Sequence, residues 1–213
     1  MSRKRSYNEG CPVSHALDLV GERWGLLVVR ELLLGPKRFA DLRNALCGAS
    51  SNILSTRLRD LAEIGVLRKR LADGPGGGPV YELTDWGRAL EPVLFALGTW
   101  GTSSPFWDRQ APSTVDSLVL ALRAQAEFVF LAGAPVAGTC QLRVDDSESF
   151  VLRFGETGLE VTRASAAQPD AVVDIESRTL QKLLTGDDTL DDAVDEGRAK
   201  LGGDERLIRS LIK

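Results

Sequence analysis

RFADLRNALCGASSNILSTRLRDLAEIGVLRKRLADGPGGGPVYEL, Arg38 to Leu83, is the stretch that decides the fold. Its periodicity predicts a short helix, a tight turn at Cys47-Gly48-Ala49-Ser50, a second helix, and two strands, Val66 to Leu71 and Val80 to Leu83. The strands flank a Gly/Pro-rich tip, Asp73 to Pro79, and the whole has the layout of a winged helix-turn-helix. In the second helix Leu54, Leu58 and Leu61 recur at i, i+4, i+7 and predict a stripe against a core. Asn52, Ser55, Thr56 and Arg59 recur at i, i+3, i+4, i+7 on the other face, with Arg57 on the same helix. An amide, two hydroxyls and guanidinium groups supply the donors and acceptors that base edges present in a major groove. This helix is the candidate reader of double-stranded DNA. Arg68, Lys69 and Arg70, in the first strand after it, are candidates for phosphate contacts from a wing.

Working outward, the 213 residues are 43% hydrophobic and 26% charged, which suits one large or two small globular domains. No run of about eighteen apolar residues occurs, and MSRKRSYNEG at the start has no apolar segment. Neither a membrane span nor a secretory signal is therefore expected, and the cytoplasm is the expected compartment. Three cysteines without a close pair and one histidine argue against a disulfide framework and a Cys/His metal site, and no cofactor is expected. The net charge of −4 divides unevenly: residues 1 to 104 carry +3 and residues 105 to 213 carry −7. A basic module can hold phosphate while an acidic remainder faces away, so the total excludes nothing.

Upstream of the decisive stretch, Ser2 to Gly10 reads as a frayed basic arm, and Val13, Ala16, Leu17 and Val20 repeat at helical spacing. From Trp24 to Leu34, Trp24, Leu27, Val28, Leu32 and their neighbours make an almost wholly apolar helix closed by Gly35-Pro36, a buried scaffold. Downstream, Thr84-Asp85 caps a helix from Trp86 to about Gly101, with Leu90, Val93, Leu94, Leu97 and Trp100 on one side. So apolar a helix at the end of a small domain predicts a surface shared with a second copy. A homodimer reading a palindromic site would double the contact.

Cys11-Pro-Val, Ala16-Leu-Asp-Leu-Val-Gly-Glu-Arg-Trp24, Leu32-Leu-Leu-Gly-Pro-Lys-Arg-Phe39, Leu54-Ser-Thr-Arg-Leu-Arg-Asp-Leu61, Gly65-Val and Tyr81-Glu-Leu-Thr-Asp-Trp-Gly87 resemble the HxlR family of bacterial transcription regulators. The resemblance covers residues 10 to 102 and implies a dimeric winged-helix DNA-binding protein without catalytic machinery. Trp86 departs from the family's usual short polar or aliphatic residue, and the wing tip is unusually glycine-rich. The resemblance also implies a redox role for Cys11, because several family members sense electrophiles or oxidants through a cysteine at this N-terminal position. A helix N-terminus that stabilises the thiolate would favour sensing; a thiol packed as a small hydrophobe is the alternative.

Thr102 to Ser113 reads as a linker, giving domains at 1–104 and 115–213 joined by 105–114. The second domain begins with a helix over Val115 to Leu131. β-rich runs follow at Thr139 to Asp145, Ser149 to Gly155, Leu159 to Arg163 and Ala171 to Glu176, spaced as in an antiparallel meander. Helical spacing returns at Ser177 to Thr185 and Leu190 to Glu196, then a strand at Arg198 to Leu201 and a helix at Asp204 to Ile212. The class of the whole chain is α+β. Pro169-Asp-Ala-Val-Val-Asp-Ile175, Leu180-Gln-Lys-Leu-Leu-Thr-Gly186, Asp192-Ala-Val and Gly197-Arg-Ala-Lys-Leu-Gly-Gly-Asp204 resemble the sterol-carrier-protein fold. That resemblance implies an apolar cavity for a lipid-like effector, with Phe128, Phe130, Leu142, Phe150, Leu152, Phe154 and Leu183 as wall residues. For any single one of these residues, simply filling a core is the favoured reading, and a fold does not confer its usual ligand. A lipid carrier in which DNA binding is secondary is the alternative function. No nucleophile elbow, paired acid and base, or phosphate loop is present: Gly74 to Gly78 lacks the Lys-Ser/Thr and following helix that a P-loop needs, so no enzyme is expected.

Overall fold

A computed structural model describes residues 6–72, 77–131, 137–155 and 158–212, with 127–131 described by their backbone alone. The chain forms two units, Met1–Thr102 and Ser103–Lys213.

In the first unit, α1 (Pro12–Val20) and α2 (Gly25–Leu32) precede a two-residue strand β1 (Lys37–Arg38) and the helix-turn-helix pair α3 (Phe39–Ala45) and α4 (Ser51–Glu63). Then come β2 (Leu67–Leu71), β3 (Pro79–Leu83), α5 (Asp85–Arg88) and α6 (Glu91–Thr102). The antiparallel sheet runs in the order β1-β3-β2. Val28, Val29 and Leu32 of α2, Leu42 of α3 and Leu54, Leu58 and Leu61 of α4 make the core, closed by Val66, Leu67 and Leu83. Three leucines from one helix, each buried, contribute about 1.5–3 kcal/mol apiece, so their stripe sets how α4 is turned.

Three local expectations change. The helix from Trp24 begins one residue later, because Trp24 is its N-cap in the left-handed region (φ 77°). The helix from Trp86 is two: α5 ends at Arg88, and α6 restarts at Glu91 with Pro92 in its first turn, where a missing N–H costs nothing. The arm is not frayed over its described part, since Asp18 accepts hydrogen bonds from the Ser6 hydroxyl (2.8 Å) and the Tyr7 N–H (3.0 Å).

Under the sheet, the fully buried Glu31 of α2 accepts from Arg30 (2.7 Å) and from Lys37 of β1 (2.8 Å), tying the scaffold helix to the sheet edge. Burial pushes the Glu31 carboxyl up, but the charges and hydrogen bonds of Lys37 and Arg30 outweigh it and hold the group below the usual carboxylate range.

The second unit contains α7 (Val115–Leu131), β4 (Gly138–Val144), β5 (Glu148–Gly155), β6 (Gly158–Thr162) and β7 (Ala171–Ile175), then α8 (Ser177–Thr185), α9 (Leu190–Asp195), β8 (Ala199–Gly203) and α10 (Arg206–Arg209). Its sheet is not a simple meander. The order is β6-β5-β4-β7-β8, and β4 and β7 are parallel. The chain leaving β6 must therefore cross β5 and β4, and a buried glutamine holds the crossing: Gln141 donates to the Ala164 carbonyl (3.3 Å) and accepts from the Ala166 N–H (2.6 Å). Glutamine inside a strand reads as an ordinary polar position, so the crossover was not legible. The last helix is also shorter than expected, although Leu207, Ile208, Leu211 and Ile212 are all buried. Residues 105–114 form no helix or strand, yet Gln181 donates to the carbonyls of Arg109 and Ala111 (both 2.8 Å), and Arg178 donates to that of Gln110 (2.8 Å). Those bonds anchor the segment to the second unit.

Replacing the buried carboxylate tests the tie between α2 and β1. Glu31→Gln should lower the stability of the first unit by about 1–3 kcal/mol in denaturant unfolding, because Lys37 and Arg30 lose a charged acceptor. A carboxyl held below its unfolded pKa of about 4.3 stabilises fully above that pH, and the contribution is lost as pH falls through the folded value. The substituted protein should accordingly lose less stability than wild type on acidification below about pH 4.

Candidate nucleic-acid interface and thiol

The helix-turn-helix is set by one close approach. A Cβ on Gly48, in the turn between α3 and α4, would lie 2.8 Å from the Trp24 ring, so only glycine lets the indole pack there. After the turn, the Ser50 hydroxyl caps α4 by accepting from the Ile53 N–H (3.3 Å). With Leu54, Leu58 and Leu61 turned inward, Asn52, Ser55 and Arg59 are exposed and Thr56 is half-buried. Ile53 is 44% exposed beside them, an apolar group that polar periodicity does not reveal.

The structure separates the arginines of this helix. Arg59 is 65% exposed and lies 3.8 Å from Glu63 and 3.9 Å from Asp60, loose surface pairs that a ligand displaces at little cost. Arg57 is 19% exposed, with its guanidinium 3.1 Å from Asp60 and 3.7 Å from Glu22. It braces α4 against the corner between α1 and α2 and does not project with the other four.

The wing cations also divide. On β2, Arg68 and Arg70 converge on Glu82 of β3, each at 2.6 Å, while Lys69 points the other way and lies 5.8 Å from the Tyr81 ring centre. Hydrogen bonds from Arg70 and Arg68 hold the Glu82 carboxyl below its usual range. Glu82 fixes where the two guanidinium groups sit and offsets part of their charge; no sequence period signals that pairing. Behind it, the Thr84 hydroxyl donates to the Gly65 carbonyl (2.7 Å) and accepts from the Gly87 N–H (3.1 Å), fastening α5 to the base of the wing. The tip expected over Asp73 to Pro79 lies outside the described residues from Asp73 to Gly76.

Cys11 occupies the N-cap of α1, half-buried. No capping hydrogen bond closes on it, yet the N–H groups of Ser14 and then Val13 hold its thiol below the ordinary pKa. Cys47 is exposed in the helix-turn-helix turn. Cys140 is buried in β4, and burial pushes its thiol up to about 12.

Val13 and Leu17 of α1 and Val93, Leu97 and Trp100 of α6 are exposed, and α6 has no buried residue. An open groove of about 230 Å³ lies between α1 and α5, walled by His15, Leu19, Val66, Trp86 and Leu90.

In the second unit the expected wall residues Leu142, Phe150, Leu152 and Phe154 share one face of the sheet and are buried there, as is Leu183 of α8. Phe128 and Phe130 have side chains outside the described residues. Among the described residues no three His, Cys, Asp or Glu side chains group as a metal site, and no helix is long and apolar enough to cross a membrane.

Residues 19–107, which carry this helix-turn-helix, match the HxlR-like helix-turn-helix family. The HTH-type transcriptional regulator YvaP of Bacillus subtilis is 36% identical over 96 residues, 45% of this chain and 89% of that protein. The HTH-type transcriptional regulator sll1512 of Synechocystis is 37% identical over 92 residues, 43% of this chain and 68% of that protein. The chain belongs to the HxlR-like family. It shares the family's helix-turn-helix through its first unit, and residues 132–213 match the SCP-2 sterol transfer family. The solved structure of PA1607 is 39% identical, covers 51% of this chain and 73% of its own, and superposes with a TM-score of 0.44.

The thiol environments make an order of reactivity testable. In the native protein near neutral pH, iodoacetamide should alkylate Cys11 and leave Cys140 unmodified, with Cys140 reacting only on unfolding. Native alkylation of Cys140 at a comparable rate, read by peptide mass spectrometry, would contradict these assignments.

Proposed function

We propose that this chain is a homodimeric, sequence-specific DNA-binding transcriptional regulator that reads a palindromic operator through α4. The observation that carries the reading is the orientation of α4, whose buried leucine stripe leaves Asn52, Ser55 and Arg59 exposed. Asn52 suits adenine, Arg59 suits guanine, and Ile53 offers apolar contact to a thymine methyl. Thr56 takes part from a half-buried position, and Arg57 supports the helix in place of reading bases. Arg68, Lys69 and Arg70 hold the wing along the phosphates, with Lys69 the least neutralised. Membership of a family whose relatives are HTH-type transcriptional regulators supports the same assignment.

Dimerisation is assigned to the exposed apolar residues of α1 and α6, continued by the groove at Trp86. A membrane has no place in this activity, no catalysis is required, and the cytoplasm, where bacterial DNA lies, is the compartment. The second unit is assigned an apolar small molecule, supported by its match to a sterol transfer family and by the Leu142, Phe150, Leu152, Phe154 face. Control through Cys11 is the other input, supported by its lowered thiol pKa at a helix start. That sterol-transfer match also favours a second reading, an apolar-ligand carrier for which DNA binding is secondary.

A gel shift on the gene's own promoter tests the first reading against the second. Arg59→Ala should cost about 1–3 kcal/mol on the cognate site and relax preference at one base position, with little change on random duplex. Equal loss on both DNAs would remove α4 from base reading. Leu97→Glu should turn a dimer into a monomer in sedimentation, whereas an unchanged dimer would place the interface elsewhere.

A further inference from the structure

We infer that Arg23, in the corner between α1 and α2, is a phosphate-contacting residue of the DNA interface, held in position by Trp24 on the helix-turn-helix turn. The inference rests on the reading of α4 as the helix that enters the major groove.

The corner is locked to the motif at two points. Trp24 packs against Gly48, so closely that a Cβ there would meet its ring at 2.8 Å. Glu22 lies 3.7 Å from Arg57 on the flank of α4. Between them, the exposed Arg23 has its guanidinium carbon 5.3 Å from the Trp24 ring centre. The charge therefore sits beside the turn, and its position is fixed by the same indole that packs on that turn. When a reading helix lies in the major groove, the turn and the elements packed behind it lie over the backbone at the groove edge. A cation held beside the turn is within reach of those phosphates.

Its electrostatic state distinguishes Arg23 from the arginines that the sequence pattern singled out. Arg57, Arg59, Arg68 and Arg70 each lie within ion-pair distance of a carboxylate, so contact with phosphate must be drawn from an existing pair. Arg23 forms no ion pair among the described residues; its contact is with the face of the Trp24 ring. A cation–π contact of this kind uses none of the guanidinium N–H groups, which stay free to donate to an oxyanion. Lys69 on Tyr81 repeats the device on the wing.

The test uses the full chain with its own promoter fragment and a random duplex of the same length, from about 50 to about 200 mM salt. A phosphate contact contributes about 0.9 to the slope of log affinity against log salt. Arg23→Gln should weaken binding to both duplexes by the same factor, and that deficit should shrink about 3.5-fold across this fourfold range of salt. Arg23→Lys should keep the wild-type slope. Unchanged affinity and slope in Arg23→Gln, or a loss confined to the promoter with the slope intact, would overturn the inference. A wild-type protein that binds neither duplex would instead overturn the reading of α4. An unaltered thermal transition in Arg23→Gln excludes unfolding as the cause, and Arg23→Lys supplies the independent check.

Discussion

The rotation of α4 about its own axis is the constraint on which the first unit depends. Leu54, Leu58 and Leu61 are buried against α2 and α3, and a helix with such a stripe cannot turn without exposing apolar surface worth several kcal/mol. Once that angle is set, Asn52, Ser55 and Arg59 have to face outward. The Trp24 ring against Gly48 then fixes the helix-turn-helix turn, and the Ser50 cap fixes where α4 starts. On the proposed reading, groove recognition follows from packing beneath the helix as much as from the residues on its surface.

Charge is distributed by pairing more than by number. The chain as a whole is acidic, and most arginines of the first unit's proposed DNA face lie near carboxylates: Arg57 with Asp60 and Glu22, Arg68 and Arg70 with Glu82. Pairs of that kind place a guanidinium accurately while lowering its net attraction for phosphate. Arg23 and Lys69 are held instead by aromatic rings, which orient a cation without neutralising it. On the proposed reading, the paired arginines provide geometry and the stacked cations provide much of the sequence-independent affinity.

What could be read in advance follows from the range of the interactions concerned. The period of Leu54, Leu58 and Leu61 is local, so the helix, its buried face and its outward face were legible. The split of Arg57 from Arg59 was not, because besides Asp60 one turn along the same helix Arg57 also lies beside Glu22, which is remote in sequence. The wing hairpin was legible from Gly and Pro, but the convergence of Arg68 and Arg70 on Glu82 needs the strand register. In the second unit the strands were legible as short β-rich runs between turn residues. The parallel pairing of β4 with β7 did not, since it depends on Gln141 holding a crossover by bonds to Ala164 and Ala166. Ile53 was not legible for a simpler reason: in sequence, an exposed apolar residue on a helix looks the same as a buried one.

Methylation interference on the promoter fragment tests the central claim most directly, because dimethyl sulfate marks guanine N7 in the major groove and adenine N3 in the minor groove. If α4 reads bases as a two-fold pair, premethylation should block binding at guanine N7 positions in two symmetric half-sites about one helical turn, 10–10.5 base pairs, apart. Interference confined to adenine N3, or none within any pair of half-sites, would contradict the account.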